Sequence, residues 1–284
     1  MIRKAAVMVL LLGTLGALLL LGNSWGPEAP PGPCLIAHGP ARLPDLPEAS
    51  GLAVSRRDRA LLWSHNDSGN DAVLVALDVT GALRGRLRVP VRTRDWEDVS
   101  AARCPSGECL YLADIGDNQA RRSRITIYRI PEPPANAAET AAPEVFDATY
   151  ADGPHNAEAM FVVGTDLFIV TRDRTGVIYR AQAPPSGGGA LTFERIGELG
   201  LQAVSDAEAS PDEQVVVVRN SREAVFYRAA DLIAGRAVPD LRLSIEGLRE
   251  AQGEAVALDG DMLYLASEGR RAGSLLSLRC RLRP

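Results

Sequence analysis

Apolar positions in this chain do not recur at helical spacing. They gather into short runs rich in β-branched, aromatic and leucine residues, bounded by Gly, Asp and Asn, which is how strands and their turns read. One set comprises Leu61-Leu62-Trp63-Ser64-His65-Asn66-Asp67, Leu110-Tyr111-Leu112-Ala113-Asp114, Leu167 to Asp173, Val215 to Asn220 and Met262 to Glu268. A following set comprises Val73 to Val79, Ile125 to Ile130, Val177 to Arg180, Ala224 to Arg228 and Ser274 to Leu278. A third set, Leu83 to Val89, Glu144 to Tyr150, Leu191 to Ile196 and Leu241 to Ile245, is visible in four places. Only Ala229 to Gly235 reads as a helical turn.

Ahead of each set stands one short phrase: Ser50-Gly51-Leu52-Ala53, Trp96-Glu97-Asp98-Val99, Ala157-Glu158-Ala159-Met160, Ala207-Glu208-Ala209-Ser210 and Gly253-Glu254-Ala255-Val256. Aligned on their second residues, the copies lie 46, 61, 50 and 46 residues apart. A period of about 40–50 residues marks stacked supersecondary units. Four antiparallel strands per unit, repeated around an axis, make a β-propeller, in which radial repetition suppresses exposed sheet edges. The expected fold is therefore all-β, with five four-stranded blades, or six if the 61-residue interval conceals another. The last unit offers three strands, so Cys34 to Leu43 is expected to return as its fourth and close the ring as a clasp.

Charge and composition then narrow the picture. The chain has 284 residues and a formal net charge of −5, and Lys4 is its only lysine. Residues 1–26 hold Arg3 and Lys4 and no acid, so the remainder is more acidic still and carries no basic run. Such a surface suits neither nucleic acid nor an anionic membrane. Arg3 and Lys4 followed by apolar Ala5 to Leu21 read as an export signal or a signal-anchor. Residues 27–33, Pro-Glu-Ala-Pro-Pro-Gly-Pro, read as an extended spacer, and residues 34–284 as the propeller domain. Four cysteines fit a periplasmic or extracellular protein. Cys104 and Cys109 flank a turn, and the clasp predicts a Cys34–Cys280 bond.

The candidate chemistry is carboxylate-rich. Placed on the innermost strands, Glu97, Glu158, Glu208 and Glu254 converge near the axis, where clustered carboxylates require protons, arginines or a cation. Their hard oxygen donors suit Ca²⁺ or another divalent cation, and no organic cofactor is expected. The alternative is that each glutamate locks its own blade to a neighbour. A second polar column, at the ends of the next strands, comprises His65, Asn66, Asp67, Asp114, Asp117, Asn118, Arg172, Arg219, Asn220 and Glu268. Arg172 and Arg219 are suited to a carboxylate or phosphate. Asn66 to Asp71 and Asp114 to Asn118 also have the composition of tight turns. His65 and His155 become zinc candidates only if both face the axis. Gly22-Asn23-Ser24-Trp25-Gly26 matches a nucleophile-elbow pattern but ends the apolar segment instead of joining a strand to a helix.

The phrases LWSHNDSG, DWEDVS, LADIGDN, SDAEASPD and GEAVAL resemble exported bacterial β-propellers of the phytase-like and SdiA-regulated-like group, over roughly residues 49 to 270. The resemblance implies a propeller and an axial carboxylate set at Glu97, Glu158, Glu208 and Glu254. It leaves activity open, because that group spans calcium-dependent phosphate hydrolases, esterase-like proteins and others. Gly51 in the first copy leaves that carboxylate ring incomplete, and the single lysine departs from phosphate sites rich in lysine. Two functions follow. One is a monomeric, non-catalytic module binding a small anionic ligand or an exported protein or glycan. The other is a divalent-metal-dependent hydrolase of an ester, lactone or phosphoester, with Glu97 or Glu158 as general base.

Overall fold

A computed structural model describes residues 32–183 and 186–282. The expected export segment and most of the proline-rich spacer lie outside the described residues. Strand β1 (Cys34–Leu43) comes first, then a unit of β2 (Ala49–Val54), β3 (Leu61–Asn66), β4 (Val73–Asp78) and β5 (Leu83–Arg88). The second unit is β6 (Asp98–Cys104), β7 (Gly107–Asp114), β8 (Ile125–Pro131) and β9 (Glu144–Tyr150). The third is β10 (Ala157–Val163), β11 (Asp166–Thr171), β12 (Val177–Gln182) and β13 (Gly189–Glu198). The fourth is β14 (Asp206–Ala209), β15 (Val215–Arg219), β16 (Glu223–Arg228) and β17 (Leu241–Ser244). The last is β18 (Gln252–Asp259), β19 (Met262–Glu268) and β20 (Gly273–Cys280), and β1 pairs antiparallel with β20 from Cys34↔Cys280 to Leu43↔Gly273. The α-helical turn α1 (Ala229–Leu232) falls where the sequence placed it, and a 3₁₀ turn at Glu246–Leu248 was not expected.

The apolar runs are nearly continuous because each sheet is covered on both faces. One apolar layer holds Trp63 of β3 against Val99 and Leu112 of the second unit, and another holds Phe146 against Met160 and Ile169 of the third. A third layer joins Phe168 to Val216 and Tyr227, and a fourth joins Phe226 to Val256 and Leu265. The fifth packs Tyr264 and Ala255 of the last unit against Leu52 and Leu77 of the first. The layers thus run round to where they began. Innermost strands β2, β6, β10, β14 and β18 neighbour one another in the same circular order. The result is an all-β, propeller-like fold with one mouth formed by the loops that lead into these strands.

Two departures from simple repetition have visible causes. Outer strands β9 and β13 pair in parallel from Phe146↔Gly189 to Tyr150↔Phe193, which merges the second and third units into one eight-stranded sheet. The wide 61-residue interval contains no further sheet among the described residues. Its extra length runs between β8 and β9, along the outer strand of the first unit, where the Arg88 amide donates to Ala138 and the Thr140 amide to Arg88. Glu132, in the same stretch, is buried and accepts from the Trp63 indole at 2.9 Å. That stretch covers an edge that would otherwise stand open. Disulfides join Cys34 to Cys280 and Cys104 to Cys109, which suits an oxidising compartment. Among the described residues no helix is long and apolar enough to cross a membrane.

Candidate functional site

The acids around the axis occupy two levels. At the deeper level, Asp98 accepts from the Val99 amide at 2.6 Å and from the Met160 amide of the next unit at 2.7 Å. Asp206 repeats this pattern, accepting from the Ala207 amide at 2.6 Å and the Val256 amide at 2.5 Å. Asp98 and Asp206 are thus equivalent, which puts Ser205, not Glu208, at the position of Glu97. The fourth copy of the phrase is therefore out of register, and Glu208 lies three residues further along its strand. There it reaches across to the second unit, accepting from the Ser100 hydroxyl at 2.5 Å and the Ala101 amide at 3.1 Å. Its place is the blade-locking alternative, and the axial four are reduced to Glu97, Glu158 and Glu254 at the mouth.

This deeper level is closed to solvent. Asp98 and Asp206 are each 0 % exposed, and their carboxyls approach closely enough to share a hydrogen bond. Burial, reinforced by the like charge of its partner, holds the Asp98 carboxyl well above the usual carboxylate range. Burial raises Glu208 as well. The three carboxyls tie the second, third, fourth and fifth units together.

The upper level is different. Glu48, Asp67, Asp95, Glu97, Glu158, Glu254 and Glu268 gather there, with Arg172 among them. Arg172 is committed to the Glu158 carboxylate and lies 3.5 Å from Glu254. One oxygen from each of Asp67, Asp95 and Glu97 comes within 4.8 Å of the other two. Glu97 is 6 % exposed, and its carboxylate makes no hydrogen bond or ion pair among the described residues. Burial first, then the charges of Asp67 and Asp95, push its pKa up to about 9. Burial and the Glu254 and Asp67 charges push Glu268 up to about 7, and burial raises Asp67 too.

Local structure explains why three acids meet. Asp114, which the sequence offered as a ligand contact, instead accepts the Arg94 and Asp95 amides at 2.8 and 3.0 Å and fixes the loop before β6. Gly116 follows it, and a Cβ there would lie 2.0 Å from Glu97 Oε1 and 2.5 Å from Asp95 Oδ2. Both carboxylates therefore rest on bare glycine backbone. Gly51, the first unit's counterpart in the phrase, has φ +53°, and a Cβ would meet the Val99 nitrogen at 2.7 Å. That close approach is why the first copy carries no acid.

Several expected ligand residues turn out to be locks. Asn66 bonds the Glu48 amide and the Asp45 carbonyl, both at 3.0 Å. Asp117 caps its own turn through the Arg122 amide at 2.6 Å, and Asn118 meets Asn156 at 3.4 Å. Asn220 accepts the Arg222 and Glu223 amides at 2.8 and 2.9 Å. Arg219 is 0 % exposed and forks onto Glu250 at 2.7 Å, with the Ala255 carbonyl at 3.1 Å, so it has no access to an anion. His65 is fully buried, stacked on Trp96 at 4.2 Å, and bonds the Asn66 carbonyl through Nδ1 at 2.9 Å. Burial lowers its pKa to about 3, so it is neutral. His155 instead meets Asp152 at 2.9 Å and Tyr179 at 2.8 Å. The two histidines share no cluster with the mouth acids, and the zinc arrangement falls. Asp67, Arg172 and Glu268 remain at the mouth. Asp95, which sequence reasoning missed, joins them; its signal was the acid density of Asp95-Trp96-Glu97-Asp98.

Comparison with known proteins adds little. No family model matches the chain, and no curated protein matches it. Among solved structures it is similar to a chain of the "Crystal Structure of Mitotic Checkpoint Complex", at 13% identity and a TM-score of 0.38, over 93% of this chain and 68% of that one. A likeness of that degree assigns no function, and nothing in it points to the phytase-like group.

Proposed function

We propose that this chain is an exported, monomeric five-bladed β-propeller, closed by β1 as a clasp, whose axial mouth binds a divalent cation and through it a partner. Asp67, Asp95 and Glu97 would supply the first oxygens, with Glu254 and Glu268 close by. One observation carries the reading. Glu97 is nearly buried without a partner while two further carboxylates converge on it. Packing three acids together is costly unless a cation or protons offset the charge, and hard oxygen donors favour Ca²⁺ or Mg²⁺. The remaining coordination positions would be filled by oxygens of the partner, an anionic small molecule or an exported protein or glycan.

Binding is favoured over hydrolysis by the state of the arginines. Arg172 is engaged by Glu158 and Glu254 and Arg219 is sealed in the wall, so neither is free to hold a phosphate. Calorimetric titration of the full chain with Ca²⁺, Mg²⁺ and Zn²⁺ tests the cation site. One ion should bind at a single site, and the heat should depend on the buffer, because the incoming ion displaces the Glu97 proton near neutral pH. Asp67→Asn and Asp95→Asn should each weaken binding by at least about tenfold, the effect expected of losing one charged ligand. No saturable binding by any of the three ions would overturn the reading. Turnover of an ester, lactone or phosphoester with the ion present would replace it with the hydrolytic one.

A further inference from the structure

The mouth divides into two halves of like chemistry that the chain treats differently. In one half Asp67, Asp95 and Glu97, from the first two units, converge on one another and make no ion pair among the described residues. In the other, Glu158 of β10 and Glu254 of β18 hold Arg172 between them, its Nη1 paired with Glu158 and 3.5 Å from Glu254. Both glutamates come from the repeated phrase, and their strands flank β14. The fourth unit places Ser205 at the equivalent position, next to Asp206 with its two amide bonds. Arg172 thus spans the unit that contributes no carboxylate and ties the third unit to the fifth.

Arg172 is presented rather than packed. The turn that carries it is fixed by its neighbours. The Arg172 amide donates to the Asn156 carbonyl at 3.0 Å, and Asp173 accepts from the Thr171 hydroxyl at 2.9 Å and the Thr175 and Gly176 amides at 2.8 and 2.7 Å. The Arg172 side chain is 33 % exposed, against 13 % for Glu158 and 10 % for Glu254, and those two carboxylates are its only polar partners among the described residues. A wall arginine in this fold looks different: Arg219 is 0 % exposed and also bonds the Ala255 carbonyl at 3.1 Å. The Arg172 charge reaches the other half too, where it opposes the upward push on Glu97.

We propose that Arg172 is a built-in cation that sets how many divalent ions the mouth takes and how tightly. This rests on the cation reading of the mouth. The guanidinium holds the place of a second ion at Glu158 and Glu254, limits the mouth to one ion at Asp67, Asp95 and Glu97, and weakens that ion's hold by like-charge repulsion. An ion held this way exchanges with changes in its free concentration, which suits a regulated contact with a partner better than a permanent structural metal.

The test is calorimetric titration of the full chain with Ca²⁺ and Mg²⁺ in wild type, Arg172→Gln and Arg172→Lys, with melting temperatures in EDTA and at saturating ion. Wild type should take one ion. Arg172→Gln should take two, the first at least about tenfold tighter, whereas Arg172→Lys keeps the charge and should stay within about threefold of wild type. Arg172→Gln should melt lower than wild type in EDTA, because Glu158 and Glu254 lose their partner. It should then gain more from the ion than wild type does, since binding to the folded state stabilises by mass action. A merely structural arginine would lose stability and affinity together, with no recovery. The proposal is overturned if Arg172→Gln takes one ion, binds its first ion no tighter than wild type, or stays unfolded at saturating ion. It is also overturned if Arg172→Lys behaves like Arg172→Gln. Binding by Arg172→Gln with none by wild type would instead sink the cation reading of the native mouth and keep Arg172 as the cation that serves its acids; binding by neither removes both.

Discussion

Replacing Glu97 by Gln should make the cation-free protein more stable at alkaline pH, the reverse of what losing a buried charged group usually does. In the folded chain Glu97 holds its proton to about pH 9, whereas an unfolded glutamate releases it near 4.5. Between those values the folded state binds the extra proton, so stability is greatest in acid and falls as pH rises. One proton of difference changes the free energy of unfolding by about 1.4 kcal/mol per pH unit. From pH 5.5 to 8 that amounts to roughly 3 kcal/mol, or about 6–12 °C in melting temperature at about 2–4 °C per kcal/mol for a domain of this size. Gln has the shape of the protonated acid and does not titrate. In EDTA, Glu97→Gln should therefore already be the more stable by about 1.4 kcal/mol at pH 5.5, one unit above the unfolded pKa, and its lead should grow by that further amount at pH 8. A saturating divalent cation should reverse the order at pH 8, because it replaces the proton in the wild type only. Thermal unfolding across this range, with and without the ion, decides the matter. A wild-type stability in EDTA that is flat or rises with pH, or a variant with the wild-type slope, would refute the burial and charge argument.

Three further outcomes follow from the same geometry. Gly116→Ala should push Glu97 and Asp95 apart and weaken calorimetric cation affinity by at least about tenfold, while the melting temperature falls by only a few degrees, since the atoms a Cβ would meet are the ends of two side chains and not backbone. Glu208→Ala should cost about 2–4 kcal/mol in urea unfolding, because it strands the Ala101 amide and the Ser100 hydroxyl at the axis, whereas Glu208→Gln should cost less than about 1 kcal/mol. Cys34→Ser with Cys280→Ser opens a loop of 246 residues and should lower stability by up to about 5 kcal/mol by chain entropy, read from chemical denaturation; an unchanged midpoint would show that β1 holds without the bond.

The strands were legible because each buried run lies between two apolar layers, and a run such as Val215-Val216-Val217-Val218 has no other stable use in a chain of this composition. The pairing of Cys34 with Cys280 was legible for a related reason: a first and a last strand that share a sheet bring their cysteines together. The register of the fourth unit was not. Ala207-Glu208-Ala209 matches Ala157-Glu158-Ala159 letter for letter, yet the equivalence that counts runs through Asp98 and Asp206, which each bond the next unit's backbone. A four-letter phrase cannot reveal which acid makes a bond to a strand 50 residues away.

The same limit divides the polar column. Asn66, Asp114, Asp117 and Asn220 are the residues a strand end uses to cap its turn, and they are also the residues a cation loop uses. Composition cannot separate the two roles, because the difference lies in whether the oxygens are already taken. Asp114 is spent on the amides of Arg94 and Asp95 and on Arg122, and by being spent it delivers Asp95 to the mouth. Glu97 is spent on nothing. A carboxylate that the fold buries without a hydrogen-bond partner, beside two others positioned by such locks, is the feature that supports the cation reading we propose for this mouth. The adjoining acids show the contrast, since Glu158 has Arg172 and Glu254 has Gln252 at 2.9 Å. The cation we propose would therefore rest on Glu97 and the two acids that meet it, rather than on the whole ring of glutamates that the repeated phrase displays.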